Sequence, residues 1–379
     1  MDTLMNSTFT IEQKPLFTIL SSMQPICNKR TTIEASSSIL LHVGHKELVL
    51  KSTDLEISLQ ASYLLGENSF FEPLSFLVSG KRLFDIVKEL DSTIVMTKTD
   101  NQLMLSSGKV QVALNIKDAQ EFPPFPERIE NLMQFDATIL QDMFNKVSFL
   151  IPQNNANPAL NGLYFEITRS GSIMTATDGH CMVQISSPQY ALEEEKKWLL
   201  PRRAVFELKK LLETYQEKVI FLGVCGNQVV FSGETFNFFT KVLADPFPQY
   251  ATVLDKGGFV PARLDRSHFI KTLRRSASLL SGQFLATQFR FQPALLHVNM
   301  QNNEVGTLAE ELPLHDFNDA EIAIRFYAPY LLSGLQVFPH DHVHLYLKNS
   351  SRPIIFETRE ETYSLLYLVM PVAPTHLST

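Results

Sequence analysis

Thr53-Asp54-Leu55 is followed 124 residues later by Thr177-Asp178-Gly179, and Asn302-Asn303 stands 125 residues beyond Thr177. Both Thr-Asp segments lie in hairpin-like stretches of alternating apolar residues. A second landmark recurs at almost the same interval. Phe122-Pro123-Pro124-Phe125 returns as Phe247-Pro248-Gln249-Tyr250, each time after an alternating run, Val110 to Ile116 and Phe236 to Leu243. A fixed long period is the mark of repeated structural units. The 379 residues therefore read as three copies of one unit, 1–129, 130–259 and 260–379.

Each copy carries two helical segments. Residues 13–22, 138–150 and 267–280 lie near the starts of the copies, and 79–90, 201–213 and 327–338 lie in their middles. Leu83, Ile86, Val87 and Leu90 repeat at i, i+3, i+4 and i+7, which predicts one buried stripe, and Val205, Leu208, Leu211 and Leu212 approximate it. Ser79 is the expected N-cap of its helix, and Pro201 suits a first helical turn. Short strands are predicted at 38–43, 47–52, 55–62, 162–168, 172–177, 228–232, 288–291, 343–348, 353–358 and 363–370. The fold class is α+β, with two helices over antiparallel sheet in each copy.

Charge is unevenly distributed. The six helical windows hold twelve Lys and Arg (Lys14, Lys81, Arg82, Lys88, Lys146, Arg202, Arg203, Lys209, Lys210, Lys271, Arg274 and Arg275) against five Asp and Glu, a net of +7. The whole chain is −7, so the remainder carries −14. Cationic helices on an acidic background suit a phosphate-facing surface better than an ordinary solvated one.

Composition narrows the class further. Apolar residues are 45% and charged residues 19%, with 15 Gly and 20 Pro, which excludes disordered and collagen-like chains. No apolar run approaches the roughly 20 residues of a membrane-spanning helix, and no signal-peptide pattern opens the chain. Cys27, Cys181 and Cys225 are an odd, unpaired set that predicts neither a disulfide framework nor a zinc knuckle. A reducing cytoplasmic location is expected.

Several longer motifs accompany the repeat. They are Leu160-Asn161-Gly162 leading to Phe165-Glu166, Ala176-Thr177-Asp178-Gly179-His180, Leu200-Pro201-Arg202-Arg203, Phe247-Pro248-Gln249-Tyr250 and Tyr367-Leu368-Val369-Met370-Pro371-Val372, with Arg30-Thr31-Thr32 and Thr53-Asp54-Leu55-Glu56 in the first third. In this order and spacing they resemble the bacterial DNA polymerase III beta sliding clamp family over essentially the whole chain.

The resemblance implies three repeated DNA-clamp domains and a head-to-tail dimeric ring with helices lining its hole. Such a ring would hold double-stranded DNA, independently of sequence, by topology, and would tether the replicative polymerase. Arg30 matches a family arginine near the duplex, so the DNA-facing set becomes Arg30 with Lys81, Arg82, Lys88, Lys146, Arg202, Arg203, Lys209, Lys210, Lys271, Arg274 and Arg275. Asn154 and Asn157 stand where Gln and Arg are frequent.

A pocket for short hydrophobic peptide motifs of the DNA polymerase III catalytic subunit and clamp loader is also implied. Leu160, Thr177, Gly179, His180, Pro248, Val253, Tyr330, Leu368, Val369, Met370 and Pro371 match its positions, and Met182 and Val372 fit conservatively. Cys181, Thr252 and Ala373 replace common arginines, Ala159 a tyrosine and Tyr327 an asparagine, making the rim less basic. At the subunit interface, Leu279 and Leu280 align with an apolar pair, and Val112 takes a facing position usually held by a larger residue.

An enzymatic alternative is a metal-assisted hydrolase built from Asp178, His180 and the run His340-Asp341-His342-Val343-His344, since His342 and His344 share a strand face. No third ligand follows at a recognisable spacing. The sequence shows no P-loop, dinucleotide fingerprint or Gly-x-Ser-x-Gly element, so no catalytic residue, metal or cofactor is expected.

Overall fold

The computed structural model describes residues 7–28, 34–66, 73–281 and 286–372. The first third contains β1 (Ser7–Glu12), α1 (Gln13–Cys27), β2 (Ser38–Val43), β3 (Glu47–Thr53), β4 (Ile57–Leu64), β5 (Leu74–Ser79), α2 (Gly80–Lys88), β6 (Thr93–Lys98), β7 (Gln102–Ser107) and β8 (Val110–Asp118). The second contains β9 (Glu130–Asp136), α3 (Ala137–Ser148), β10 (Gly162–Thr168), β11 (Gly171–Thr177), β12 (Cys181–Ser187), β13 (Lys196–Pro201), α4 (Arg202–Tyr215), β14 (Val219–Cys225), β15 (Gln228–Ser232) and β16 (Phe236–Lys241). The third contains β17 (Val260–Asp265), α5 (Arg266–Ser278), β18 (Thr287–Gln292), β19 (Leu295–Asn302), β20 (Gly306–Pro313), β21 (Ile322–Phe326), α6 (Ala328–Leu335), β22 (His342–Leu347), β23 (Ile354–Arg359) and β24 (Ser364–Val369). One order of elements is thus written three times: strand, helix, four strands, helix, three strands.

The chain forms two compact units. One comprises Met1–Gln141 with Arg203–Val242, and the other Asp142–Arg202 with Leu243–Thr379. The first holds a sheet in the order β1-β6-β7-β8-β5-β2-β3-β4-β16-β15-β14-β9. The second holds β13-β10-β11-β12-β24-β23-β22-β17 and a smaller sheet, β20-β19-β18-β21. The central third is therefore divided, because each of its sheets continues into a neighbouring copy. β16 pairs with β4, setting Phe238 opposite Leu59, and β12 pairs with β24, setting Met182 opposite Leu368. All four of these residues are buried.

The helices bury the stripes that their periodicity predicts. Leu83, Val87 and Leu90 are buried at α2, with Ile86 half-buried, and α4 buries Val205, Leu208, Leu211 and Leu212. In the first unit α1 packs against α2, with Phe17 stacked on Phe84 at 5.5 Å; in the second, α5 packs against α6. Two expectations about helix starts change. Ser79 does precede α2 as its N-cap residue, but its hydroxyl makes no capping bond. Pro201 ends β13 instead of opening α4. Clear side-chain caps are Asp136, whose carboxylate accepts from the Thr138 and Ile139 N–H groups at 2.8 and 3.1 Å at the start of α3, and Asp265, whose carboxylate accepts from the His268 N–H at 2.6 Å.

The repeated turn motif has one hydrogen-bonding pattern. Asp54 Oδ1 accepts from the Glu56 and Ile57 N–H groups at 3.0 and 2.8 Å, and Asp178 Oδ1 accepts from His180 and Cys181 at 2.8 and 2.7 Å. Asn302 Oδ1 plays the same part for Glu304 and Val305, at 2.9 and 3.3 Å. An acceptor at this position satisfies two turn amides that the hairpin leaves unpaired. In the first two copies the residue after the aspartate adopts a positive φ. Gly179 adopts +94° at no steric cost, whereas Leu55 adopts +73° and carries the strain of a branched side chain there.

Candidate functional site

The strand register builds an apolar platform in the second unit. Across β11, β12, β24, β23 and β22 it aligns Thr177 with Met182, Met182 with Leu368, Leu368 with Ile355, and Ile355 with Tyr346. These residues share one sheet face, since successive side chains alternate. Met182, Leu368 and Ile355 form a buried cluster, and Tyr250, Val253, Leu254, Phe259, Tyr346 and Leu366 pack against it half-buried. Val369 has the opposite parity and is fully buried, so it supports the platform from behind.

Around the platform the chain supplies walls and a rim. Leu160 is buried, with Cδ1 3.9 Å from where a side chain at Gly179 would begin. Thr177 Oγ1 donates to the Cys181 carbonyl at 2.6 Å and accepts from the Gly179 N–H at 3.1 Å. Met370 is 37% exposed, and its N–H donates to the His180 carbonyl at 2.9 Å. Pro371 and Val372 are half-buried, and the Val372 N–H bonds the Arg325 carbonyl at 2.9 Å. Pro248 is exposed beside Tyr250, whose hydroxyl donates to Glu166 at 2.6 Å. Burial first, and then that bond to a carboxylate, raise the Tyr250 phenol above its ordinary range.

Aromatic rings close one end. The His180 imidazole stacks on Tyr330 with centroids 5.6 Å apart and planes 17° apart, and Tyr327 meets Tyr330 edge-on at 5.0 Å and 76°. Burial and then the Asp178 carboxylate raise the Tyr330 phenol. Cys181, beneath the turn, is 1% exposed, and burial pushes its thiol up to about 12. The result is an apolar cleft with few polar groups, the form of a site for a short hydrophobic segment. Tyr250, Ile355 and Tyr346 were not among the residues expected to line it. For Ile355 the signal was present in strand alternation; for Tyr250 it was the recurrence of Phe247-Pro248-Gln249-Tyr250.

The cationic residues divide by partner. Lys81, Arg82, Lys271 and Arg274 are exposed on α2 and α5, with no acidic partner within 4 Å among the described residues. Lys88 has an exposed partner, Glu89 at 3.9 Å, and the exposed Lys210 reaches the half-buried Glu207 at 3.3 Å. Lys209 packs over the Phe206 ring, and burial lowers its ammonium below the ordinary value. Others are committed. Arg275 grips Glu310, with its Nε at 3.0 Å from Oε2; Lys146 bonds Asp142 and covers the Tyr363 ring; and Arg202 Nε donates to the Ile151 carbonyl at 3.0 Å. Arg203 pairs with the fully buried Asp54 side chain and donates to the Pro25 carbonyl at 3.0 Å. Arg30 and Ala373 lie outside the described residues.

The residues of the hydrolase alternative do other work. The Asp178 carboxylate binds turn amides, and His180 stacks on Tyr330. His340 Nε2 lies 2.7 Å from Glu360, while His342 and His344 are exposed on β22. Among the described residues no group of three or more His, Cys, Asp and Glu side chains is arranged to hold a metal. No helix among them is long and apolar enough to cross a membrane.

Of the three residues expected at a subunit interface, Val112, Leu279 and Leu280 are each half-buried. Val112 sits on β8, which pairs with β7 from Val110 to Asn115 and with β5 from Ile116 to Asp118. Residues 110–115 thus present one unpaired edge among the described strands. β20 ends the smaller sheet of the second unit.

Comparison with known proteins places the chain. Three family profiles match in order: DNA polymerase III beta subunit, N-terminal domain over residues 7–126, central domain over 134–249 and C-terminal domain over 256–373. A curated beta sliding clamp of Pseudomonas putida is 27% identical over 368 residues, covering 96% of this chain and 99% of that protein. A Pseudomonas aeruginosa sliding clamp solved with griselimycin bound is 25% identical, with a TM-score of 0.88 over 97% of this chain and all of that one. The Bacillus subtilis clamp, at 21% identity, shares the fold with a TM-score of 0.88.

Proposed function

The chain belongs to the DNA polymerase III beta subunit family, and from that premise we propose that it is a DNA sliding clamp: a ring of two head-to-tail copies that encircles duplex DNA and tethers the replicative polymerase. The observation that carries this reading is the ordered match of all three domain profiles to a chain whose elements repeat three times. We take the domains as 1–129, 130–259 and 260–379.

The chemistry supports retention without sequence reading. Exposed, unpaired Lys81, Arg82, Lys271 and Arg274 offer phosphate contacts that are independent of sequence and sensitive to salt. Lys88, Lys209 and Lys210 add to them, while Arg203, Arg275 and Lys146 serve mainly to hold the fold. The cleft over Met182, Leu368 and Ile355 receives short apolar segments of the polymerase catalytic subunit and the clamp loader. Val112, on the open part of β8, meets Leu279 and Leu280 of the second copy. The protein supplies processivity and no catalytic step of its own, and it works in the cytoplasm.

Topological retention has a direct test. Protein loaded onto nicked circular DNA by a clamp loader should persist through gel filtration and be lost when the circle is cut once with a restriction enzyme. Equal retention on circle and line would overturn the ring.

A further inference from the structure

The same turn occurs three times, and its outer partner differs each time. In the first third, Asp54 uses Oδ1 for the two turn amides and gives Oδ2 to the Arg203 guanidinium. In the last, Asn302 turns its amide nitrogen onto the Leu279 carbonyl at 2.7 Å and Ser281 Oγ at 2.9 Å. In the middle third Asp178 Oδ1 is used in the same way, yet among the described residues no cation lies within ion-pair distance of its carboxylate. This turn stands at the aromatic end of the groove.

The surroundings suit a cation. Tyr327, 37% exposed, and Tyr330 meet at 76° to form an aromatic corner, and the electron-rich faces of tyrosine attract guanidinium and ammonium groups. His180 backs the corner by stacking on Tyr330. The nearest cation in sequence, Arg325, lines a different groove with Gln288, Asn299 and Thr307. The Asp54–Arg203 pair, within the same chain, displays the group that such a turn carboxylate accepts.

We propose that the Asp178 end of the groove binds a cationic side chain, arginine before lysine, carried by the partner segment next to its apolar anchor. The inference rests on the groove reading above. Arginine is favoured because its planar guanidinium can pair with a carboxylate and stack on an aromatic face together.

Isothermal titration with synthetic peptides tests it. The peptides share a Leu-Phe end and differ in one residue, arginine, citrulline or glutamate, scanned through the positions before that end. At one position arginine should bind about fivefold tighter than its neutral isostere citrulline, the effect expected of one partly exposed ion pair with cation–π support. Asp178→Asn should bring that ratio to about one. Asn302 shows that asparagine can cap this turn, so the variant keeps the acceptor while losing the charge. Tyr327→Ala, at an exposed position, should lower the ratio as well. A ratio of one at every position, or an unchanged ratio in Asp178→Asn, overturns the proposal. Met370→Lys separates the two readings: if it abolishes binding while the ratio is one, the groove stands without its cation site. Failure of every peptide to bind the unmodified protein removes both.

Discussion

Tyr367 donates its hydroxyl to the backbone carbonyl of Tyr330 at 2.7 Å, tying β24 to the first turn of α6. The contact is possible because α6 carries Gly334 where the Tyr367 ring lies. A Cβ there would come within 2.0 Å of the ring, so the ring rests directly on helix backbone. The same helix holds Tyr330 against His180, and a packing detail in the core thereby sets the rim of the groove.

Gly334→Ala should therefore destabilise the protein and weaken peptide binding together. Overpacking of this kind costs about 1–3 kcal/mol. A lowered urea midpoint with reduced peptide affinity is the expected outcome, and native values for both would show that α6 shifts freely.

Arg203→Ala should cost stability before it costs DNA binding. It strands the Asp54 carboxylate, whose side chain is fully buried, and breaking a buried pair from one side costs about 3–5 kcal/mol, toward the lower end here because Arg203 is 31% exposed. Chemical denaturation of the variant measures the loss. Asp54→Asn, which keeps the turn acceptor, should be milder.

Lys81→Gln with Arg82→Gln should flatten the salt dependence of DNA association. Each phosphate contact removed lowers the slope of log K against log salt by about 0.9, so the pair should lower it by nearly two. Lys146→Gln, whose ammonium is already held by Asp142, should change it much less.

Acid should unfold the protein from its paired carboxylates. Burial pushes the Asp54 carboxyl up, but the amide of Ile57 and the Arg203 guanidinium outweigh it and hold the group below its ordinary value. Glu310 is held down likewise, burial being outweighed by Arg275 and Thr272. A depressed folded-state value gives stability that is present above the unfolded pKa, about 4, and is lost as pH falls through the folded value. Urea midpoints should be steady down to about pH 5 and fall below about 4, less steeply in Asp54→Asn.

Native alkylation should select one thiol. Cys27 and Cys181 are buried, and burial pushes each thiol up to about 12, whereas Cys225 is half-buried. Iodoacetamide at pH 8 followed by peptide mass mapping should find the label on Cys225 first.

The period and the amphipathic helices were legible because both are local patterns. All six helices fall where the apolar spacing puts them, although α1 continues to Cys27, through Pro25, well past residue 22. Strands without clean alternation were harder. β12, Cys181–Ser187, is buried along most of both faces, and β14, Val219–Cys225, has its pattern broken at the Leu222–Gly223 irregularity, so neither is predicted from alternation. The groove residues came from motif resemblance, but the register that sets Ile355 beside Leu368 is a long-range fact. Charge misled in one place. Arg203 reads as a free helix cation until its partner, 149 positions earlier, is seen.

The seams at β4–β16 and β12–β24 separate the unit of duplication from the unit of folding. Excision of the middle copy would tear open hydrogen-bonded ladders on both flanks and leave raw β-edges that invite aggregation. One pattern is written three times along the chain, yet no single copy can be excised, swapped or expressed as a freestanding piece.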